Sequence, residues 1–190
     1  MKEIVLIGGS NGAGKTTAAR DLLPKFFSQC EFLNADDIAR ELAPWNAELA
    51  ALAAGRKLIE RMRELVRDGD SFALESTLSG KSHLRYLQQC KERGWRITLL
   101  YFWLKSPEVA VARVAHRVSE GGHDIPSEVV HRRYYAGLSN LLNSYLPLAD
   151  EVEIYDNTDR QRVLIVERRE GGILLVHDSR RWAMMKRLAQ

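Results

Sequence analysis

The sequence predicts an α/β fold: a mostly parallel sheet with flanking helices, a small helical lid, and a C-terminal β-hairpin plus helix. Three observations predict it. Short apolar runs alternate with longer segments of helical periodicity. The first run, Ile4-Val5-Leu6-Ile7, leads through a glycine-bearing stretch into residues compatible with a helix. Three of the runs also end in polar residues, which a parallel sheet gathers at its carboxyl edge.

Taken in order, the first strand covers Glu3–Ile7 and the first helix runs from Thr16 to Phe26. A short strand near Phe32–Asn34 ends at Asp36-Asp37, and Asp37 is the expected N-cap of a helix over Ile38–Leu42. Leu49, Leu52, Leu58, Met62 and Leu65 form an apolar stripe that predicts a helix over Ala47–Val66, stopped by Asp68-Gly69-Asp70. Phe72-Ala73-Leu74 is a third strand ending at Glu75-Ser76-Thr77, where Ser76 or Thr77 could cap the next helix. That helix is His83–Arg93, closed by Gly94. Arg96–Leu104 is the most hydrophobic segment and reads as a central strand. Pro107 opens a helix to about Ser119, and Gly121-Gly122-His123-Asp124-Ile125-Pro126 breaks the chain. Ser127 then caps a helix to about Tyr145. Glu151–Asp156 is the last core strand. Val163–Glu167 and Gly172–His177 suggest the hairpin, and Arg180–Leu188 the final helix.

The glycine-bearing stretch Gly9-Ser10-Asn11-Gly12-Ala13-Gly14-Lys15-Thr16 meets every fixed position of the phosphate-loop pattern G-x-x-x-x-G-K-[ST]. Glycines let backbone N–H groups wrap a polyphosphate, and the helix N-terminus adds partial positive charge. Gly9, Asn11, Gly12, Ala13, Gly14, Lys15, Thr16 and Thr17 are therefore assigned to ATP, with GTP the weaker choice. Lys15 is assigned to the outer phosphates and Thr16 to Mg²⁺. A Rossmann site is excluded, since Thr17 stands where the third glycine of G-x-G-x-x-G would fall. The expectation is a three-layer P-loop NTPase fold, one domain over residues 1–190, with the lid at about 113–133 and the hairpin and helix at about 160–190.

With 190 residues, 45% hydrophobic and 28% charged, the chain has the composition of a globular domain with a real core. A formal net charge of +3 argues against nucleic acid as the main partner. Cys30 and Cys90 form neither a disulfide framework nor a metal motif, which fits a reducing cytoplasm. No apolar run approaches the ~18 residues of a membrane span, and the four-residue run at the N-terminus is too short for a signal peptide.

Asp36 follows the second strand and Glu75 and Thr77 the third, and all would face one crevice with the phosphate loop. A carboxylate there can accept the proton of an attacking hydroxyl or hold Mg²⁺ through water. Asp36 is assigned the first task. Arg113 and Arg117 share a helix face, and Arg132 and Arg133 lie beyond the glycine break. Closing such a lid would bring guanidinium groups to the moving phosphoryl and exclude water. His116, His123 and His131 make no metal motif. Read this way the chain is a kinase transferring the γ-phosphoryl of ATP to a hydroxyl of a small metabolite. The alternatives are an ATPase or nucleotide-dependent switch with a protein partner and, less well supported, a small nucleic-acid-binding protein.

Between Ile4 and Asp156 the sequence resembles the zeta-toxin family of phosphate-loop kinases. The resemblance is carried by Gly9–Thr17, Asn34-Ala35-Asp36-Asp37-Ile38-Ala39, Leu74-Glu75-Ser76-Thr77-Leu78-Ser79-Gly80, and the lid from Arg117-Val118 through Gly121–Pro126 to Arg132-Arg133-Tyr134. It implies phosphorylation of a sugar hydroxyl on a nucleotide-sugar such as UDP-N-acetylglucosamine, and a protein antitoxin as partner. It implies Lys15 on the phosphates, Asp36 as general base, Glu75 as a substrate or metal-water contact and Arg117 as a phosphate-binding arginine. Arg113 and Arg117 also resemble the paired lid arginines of adenylate kinases, one of which often lies over the adenine, and Asn157 follows the last core strand, where related kinases form part of the base pocket. The toxins carry a lid arginine near the position of His123, so Arg132 on the substrate or Arg133 at the phosphoryl group would take its place.

Overall fold

The structure, a computed structural model, describes residues 2–26, 30–43, 45, 49–81, 83–122 and 124–190. Its sheet has seven strands in the order β2-β3-β1-β4-β5-β6-β7. β1 (Glu3–Gly9) lies between β3 (Phe72–Ser76) and β4 (Arg96–Trp103), with β2 (Glu31–Asn34) outside β3 and β5 (Glu151–Asp156) outside β4, all parallel. β4 is buried along nearly its whole length, which explains its unbroken run of large apolar residues. β5 alternates half-buried and buried positions, as a strand with one covered face should.

Only six residues separate β5 from β6 (Val163–Arg168), too few for a parallel crossover. β6 and the two-residue β7 (Leu175–Val176) accordingly return antiparallel. So short an edge strand offers little to a foreign chain. The helices are α1 (Lys15–Phe26), α2 (Ala35–Leu42), α3 (Ala51–Asp68), α4 (Leu84–Glu92), α5 (Pro107–Ser119), α6 (Ser127–Asn140), the single turn α7 (Leu146–Leu148) and α8 (Ser179–Leu188). Among the described residues no helix is long and apolar enough to cross a membrane.

Several local expectations change. Asp37 is not the cap of α2. The helix starts earlier, and Asn34 Oδ1 accepts the Asp36 N–H at 2.8 Å, placing both aspartates in the first turn. α3 begins at Ala51 and ends at Gly69, whose left-handed conformation (φ 84°) suits a helix stop. Its buried face is Ala54, Leu58, Met62, Leu65 and Val66. Leu49 and Leu52, counted in the predicted stripe, are 81% and 82% exposed. The spacing matches the stripe, but the buried contacts at the start of α3 are made by Ala50 and Ala54, which pack with Ala39, Ile38 and Ala43 at α2. Ser127 is the first residue of α6 and makes no capping bond. Neither Ser76 nor Thr77 caps α4, which His83 precedes. The helix expected to reach Tyr145 does continue from α6, as a π-helical turn over Leu141–Tyr145.

That turn serves the loop after β3. Asn140 Nδ2 donates to Leu78 O at 2.8 Å and the Tyr145 hydroxyl to Gly80 O at 3.1 Å, while Gly137 lets α6 lie against the Thr77 carbonyl. A Cβ at position 137 would stand 2.4 Å from that oxygen. Gly137→Ala should therefore cost roughly 1–3 kcal/mol through a forced backbone shift, seen as a lower denaturant midpoint with unchanged slope. An unchanged midpoint would show that the contact has slack.

Candidate active site

The phosphate loop joins β1 to α1. Gly12 and Gly14 have φ of 75° and 77°, a region that side chains rarely adopt, and a Cβ at Gly14 would stand 2.8 Å from Asn157 Nδ2. That amide donates to Ala13 O at 2.7 Å, tying the loop to the end of β5. Arg113 reaches the same place from α5, donating to Thr158 O at 2.8 Å and Gly12 O at 3.4 Å. Arg113 and Asn157 thus brace the loop on the side where the resemblance puts the base pocket.

Lys15 is buried. Its ammonium donates to Ser10 O at 3.0 Å and lies 3.6 Å from Glu75 Oε1. Burial pushes its pKa below the usual lysine range. Glu75 and Asp36 pull it back, and the positive charge of Arg117 adds to the depression. Thr16 Oγ1 donates to Glu75 Oε2 at 2.8 Å. The Ser10 hydroxyl and Asn11 Oδ1 are buried without a hydrogen-bond partner among the described residues. Buried polar atoms ordinarily find partners, and here they sit on a loop whose sequence is built for phosphates.

Beside Lys15 opens a cleft of about 350 Å³. One wall comes from α2 and α3 through Asp36, Ala39, Gly55, Leu58 and Ile59. The other comes from the β3–α4 segment and the start of α6, through Glu75, Thr77, Ser79, His83 and Arg133. Thr77 and Ser79 share a hydrogen bond at 2.8 Å. The structure brings together Lys15, Asp36, Glu75, Thr77 and Arg133 of the sequence-predicted set. Asp37 instead pairs with Arg40. Arg132 is exposed and does not line the cleft. Thr17 is exposed on α1, and Arg117 is exposed on α5 but close enough for Lys15 to feel its charge. His123 lies outside the described residues.

α5 and α6 are anchored in the core by Ala110, Val114, Val130, Tyr134 and Leu138. A closing movement would therefore fall to the turn between them rather than to the whole of residues 113–133. Sequence reasoning missed Gly55 and His83 as members of the site, and it quoted Asn34, Ser79 and Asp124 within motifs without giving them a role. Nothing local marks Gly55 or His83, because α3 and the β3–α4 segment meet only in three dimensions.

The Nε2 atom of His83 is buried and unbonded among the described residues. Burial lowers the imidazole pKa from 6.5 to about 4. The unfolded chain binds this proton at higher pH than the folded one. Stability from this group is thus complete above pH 6.5 and is lost as pH falls toward 4, by roughly 3 kcal/mol. Replacing His83 by Phe should remove that loss. The melting-temperature gap between variant and parent should widen in favour of the variant from pH 6.5 down to 4, and a constant gap would refute the burial argument.

Solved structures share this architecture. The AvrRxo1-ORF1:-ORF2 complex with ATP superposes with a TM-score of 0.72 at 20% identity over all of this chain, which spans 63% of that one. The PezAT toxin–antitoxin system of Streptococcus pneumoniae gives 0.64 at 20% identity, covering 87% of this chain and 71% of that one. At such identities the likeness establishes the fold. An uncharacterised Haemophilus influenzae protein is 35% identical over 129 residues, 66% of this chain and 88% of its own. The zeta toxin family model matches residues 1–171, and the chain belongs to the zeta toxin family, whose match together with the phosphate-loop site supports a phosphotransferase.

Proposed function

We propose that this protein transfers the γ-phosphoryl group of ATP to a hydroxyl of a small metabolite held in the cleft beside Lys15. The observation that carries the reading is the cleft itself. It opens onto the phosphate-loop lysine and carries Asp36 on the α2 side and Arg133 on the α6 side, with Glu75, Asp124 and Arg40 also in its lining. Such a chamber beside a phosphate loop suits an acceptor molecule better than a water alone, which favours a kinase over a hydrolytic switch.

Asp36 accepts the proton of the acceptor hydroxyl as that oxygen attacks. Lys15 neutralises charge on the outer phosphate oxygens, and its burial makes that charge count for more than it would in water. The Thr16 hydroxyl and the Glu75 carboxylate are hard oxygen donors on adjoining elements, and they fit Mg²⁺, which would take its other ligands from phosphate and water. When bound, such an ion would supply positive charge to neutralise the phosphates. Arg133, on the cleft wall, and Arg117, whose charge reaches Lys15, stabilise charge on the moving phosphoryl, with Arg132 at the rim beside the acceptor. Gly9, Asn11, Gly12, Ala13, Gly14 and Thr17 complete the nucleotide side with Arg113 and Asn157.

Family membership favours a nucleotide-sugar such as UDP-N-acetylglucosamine as acceptor. The complexes in which the structural relatives were solved favour a protein antitoxin as partner.

Two outcomes are expected. Lys15→Ala should abolish measurable ATP binding in calorimetry while the circular dichroism spectrum stays that of the parent. Retained affinity in the folded variant would remove the phosphate-loop assignment. Asp36→Asn should slow acceptor phosphorylation by roughly a hundredfold to ten-thousandfold with ATP affinity little changed, whereas Asp37→Asn should be mild. Mass spectrometry of UDP-N-acetylglucosamine incubated with ATP and Mg²⁺ reads both. A dead Asp37→Asn beside an active Asp36→Asn would move the base by one residue, and unmodified sugar with the parent enzyme would exclude this acceptor.

A further inference from the structure

Two residues of the cleft carry a local cost that the fold does not explain. Gly55 lies within α3, four residues from its start, where glycine is the least favourable residue after proline. Among the described residues no packing requires it. A Cβ there would meet nothing within 4 Å, so the position faces open space, and Gly55 is itself part of the cleft wall. Across the cleft, His83 is 7% exposed, and its Nε2 has no hydrogen-bond partner among the described residues. Its ring packs on Tyr145, with centroids 6.1 Å apart. A native chain seldom buries a polar atom without a partner unless a ligand or an ordered water supplies one.

Resting on the kinase reading above, we propose that Gly55 and His83 select the acceptor. Gly55 holds the α3 wall back, so that with Leu58 and Ile59 it leaves a smooth surface for a compact ring. His83 offers a neutral imidazole to one uncharged hydrogen-bonding group of that ring, such as a hydroxyl, an amide or a carbonyl. The imidazole stays uncharged at neutral pH, so it adds no attraction for an anion. The substrate class is a hydroxylated ring compound with a neutral polar substituent on the face turned away from α3. Charge recognition is left to Arg133. Neither residue touches the reacting atoms, so both act on the acceptor's affinity and identity rather than on the chemical step.

The test exploits the cost. A residue kept for the fold loses stability when replaced, whereas a residue kept for a ligand gains stability or holds it while binding suffers. Parent enzyme, Gly55→Ala, Gly55→Leu and His83→Phe are each incubated with ATP labelled in the γ-phosphoryl group and a small-molecule extract of bacterial cells. Labelled products are separated by mass, and the compound most strongly labelled by the parent is then titrated with each variant. Gly55→Ala and Gly55→Leu should melt about 2–4 °C higher than the parent. His83→Phe should melt no lower at pH 7.5. Gly55→Leu and His83→Phe should raise the acceptor KM about tenfold to a hundredfold, with kcat and the KM for ATP within about twofold of the parent. An acceptor KM unchanged in both would overturn the inference and leave the kinase reading standing. A raised KM accompanied by a lower melting temperature would also overturn it, since the residues would then be structural. A parent enzyme that labels nothing would defeat the kinase reading, and this inference with it.

Discussion

The site depends on keeping an ammonium group charged where little water reaches it. Removing an isolated charge from water costs several kcal/mol unless opposite charge and hydrogen bonds replace the solvent. Lys15 is buried by its place at the start of α1, and its compensation comes from Ser10 O within the loop and from Glu75 at the end of β3. That requirement explains why β3 and not β2 adjoins β1. The parallel register sets Ile7 opposite Glu75, so the carboxylate emerges level with the phosphate loop. Asn34 pairs with Glu75 in the next ladder and starts α2, which carries Asp36 toward the same lysine. Two negative groups are thus delivered to one buried cation by strand order alone.

The opposite flank of the loop is held by a longer chain of contacts, and it gives the C-terminal segment a place in the architecture. Asp178 caps α8, its Oδ1 accepting the Arg181 N–H at 2.9 Å. Arg181 in turn donates from Nε to Asp156 Oδ2 at 2.7 Å. The other oxygen of Asp156 accepts the Thr158 N–H at 2.9 Å, which shapes the turn that presents Asn157 to Ala13 and the Thr158 carbonyl to Arg113. Asp156 is buried, so this is a charge-assisted link and stronger than an exposed pair. The hairpin and α8 therefore back the loop that grips the phosphate loop, although neither lies at the cleft.

What could be read in the sequence was whatever local periodicity or a fixed motif encodes. The phosphate loop, β4, the α3 stop at Gly69 and the antiparallel tail all come from patterns within a few residues. The crevice formed by Asp36, Glu75 and Thr77 was legible because parallel strands end on one side, an inference about topology rather than contact. Failures came where a third element decides. Asp37 looked like a cap until Asn34, the last residue of the strand, proved better placed to accept a backbone N–H. Leu49 and Leu52 fitted the stripe of α3 but are exposed, because Ala50 and Ala54 make the contact with α2 there. His83 read as an ordinary helix-start residue, because its burial comes from Tyr145, far along the chain on the π-helical turn.

The two sides of Lys15 differ in kind, and the difference bears on how selectivity is divided. On the flank of the phosphate loop that faces the end of β5 the chain satisfies itself: Asn157, Arg113 and Asp156 commit their polar atoms to backbone carbonyls, amides and Arg181. A region so braced is preformed and binds with little reorganisation. Polar atoms are left over at Ser10 Oγ and Asn11 Oδ1 on the loop itself and at His83 Nε2 on the cleft side, where a glycine also keeps a helix wall open. The β3–α4 segment on this side is fixed from behind by Gly137, Asn140 and Tyr145 rather than by contacts across the cleft. Its front is thereby free to answer to a ligand. A catalyst that must bind one common co-substrate and one particular acceptor has reason to be built in this way. The shared phosphates meet a rigid frame, and discrimination falls to the wall where an imperfect partner would leave buried groups unpaired.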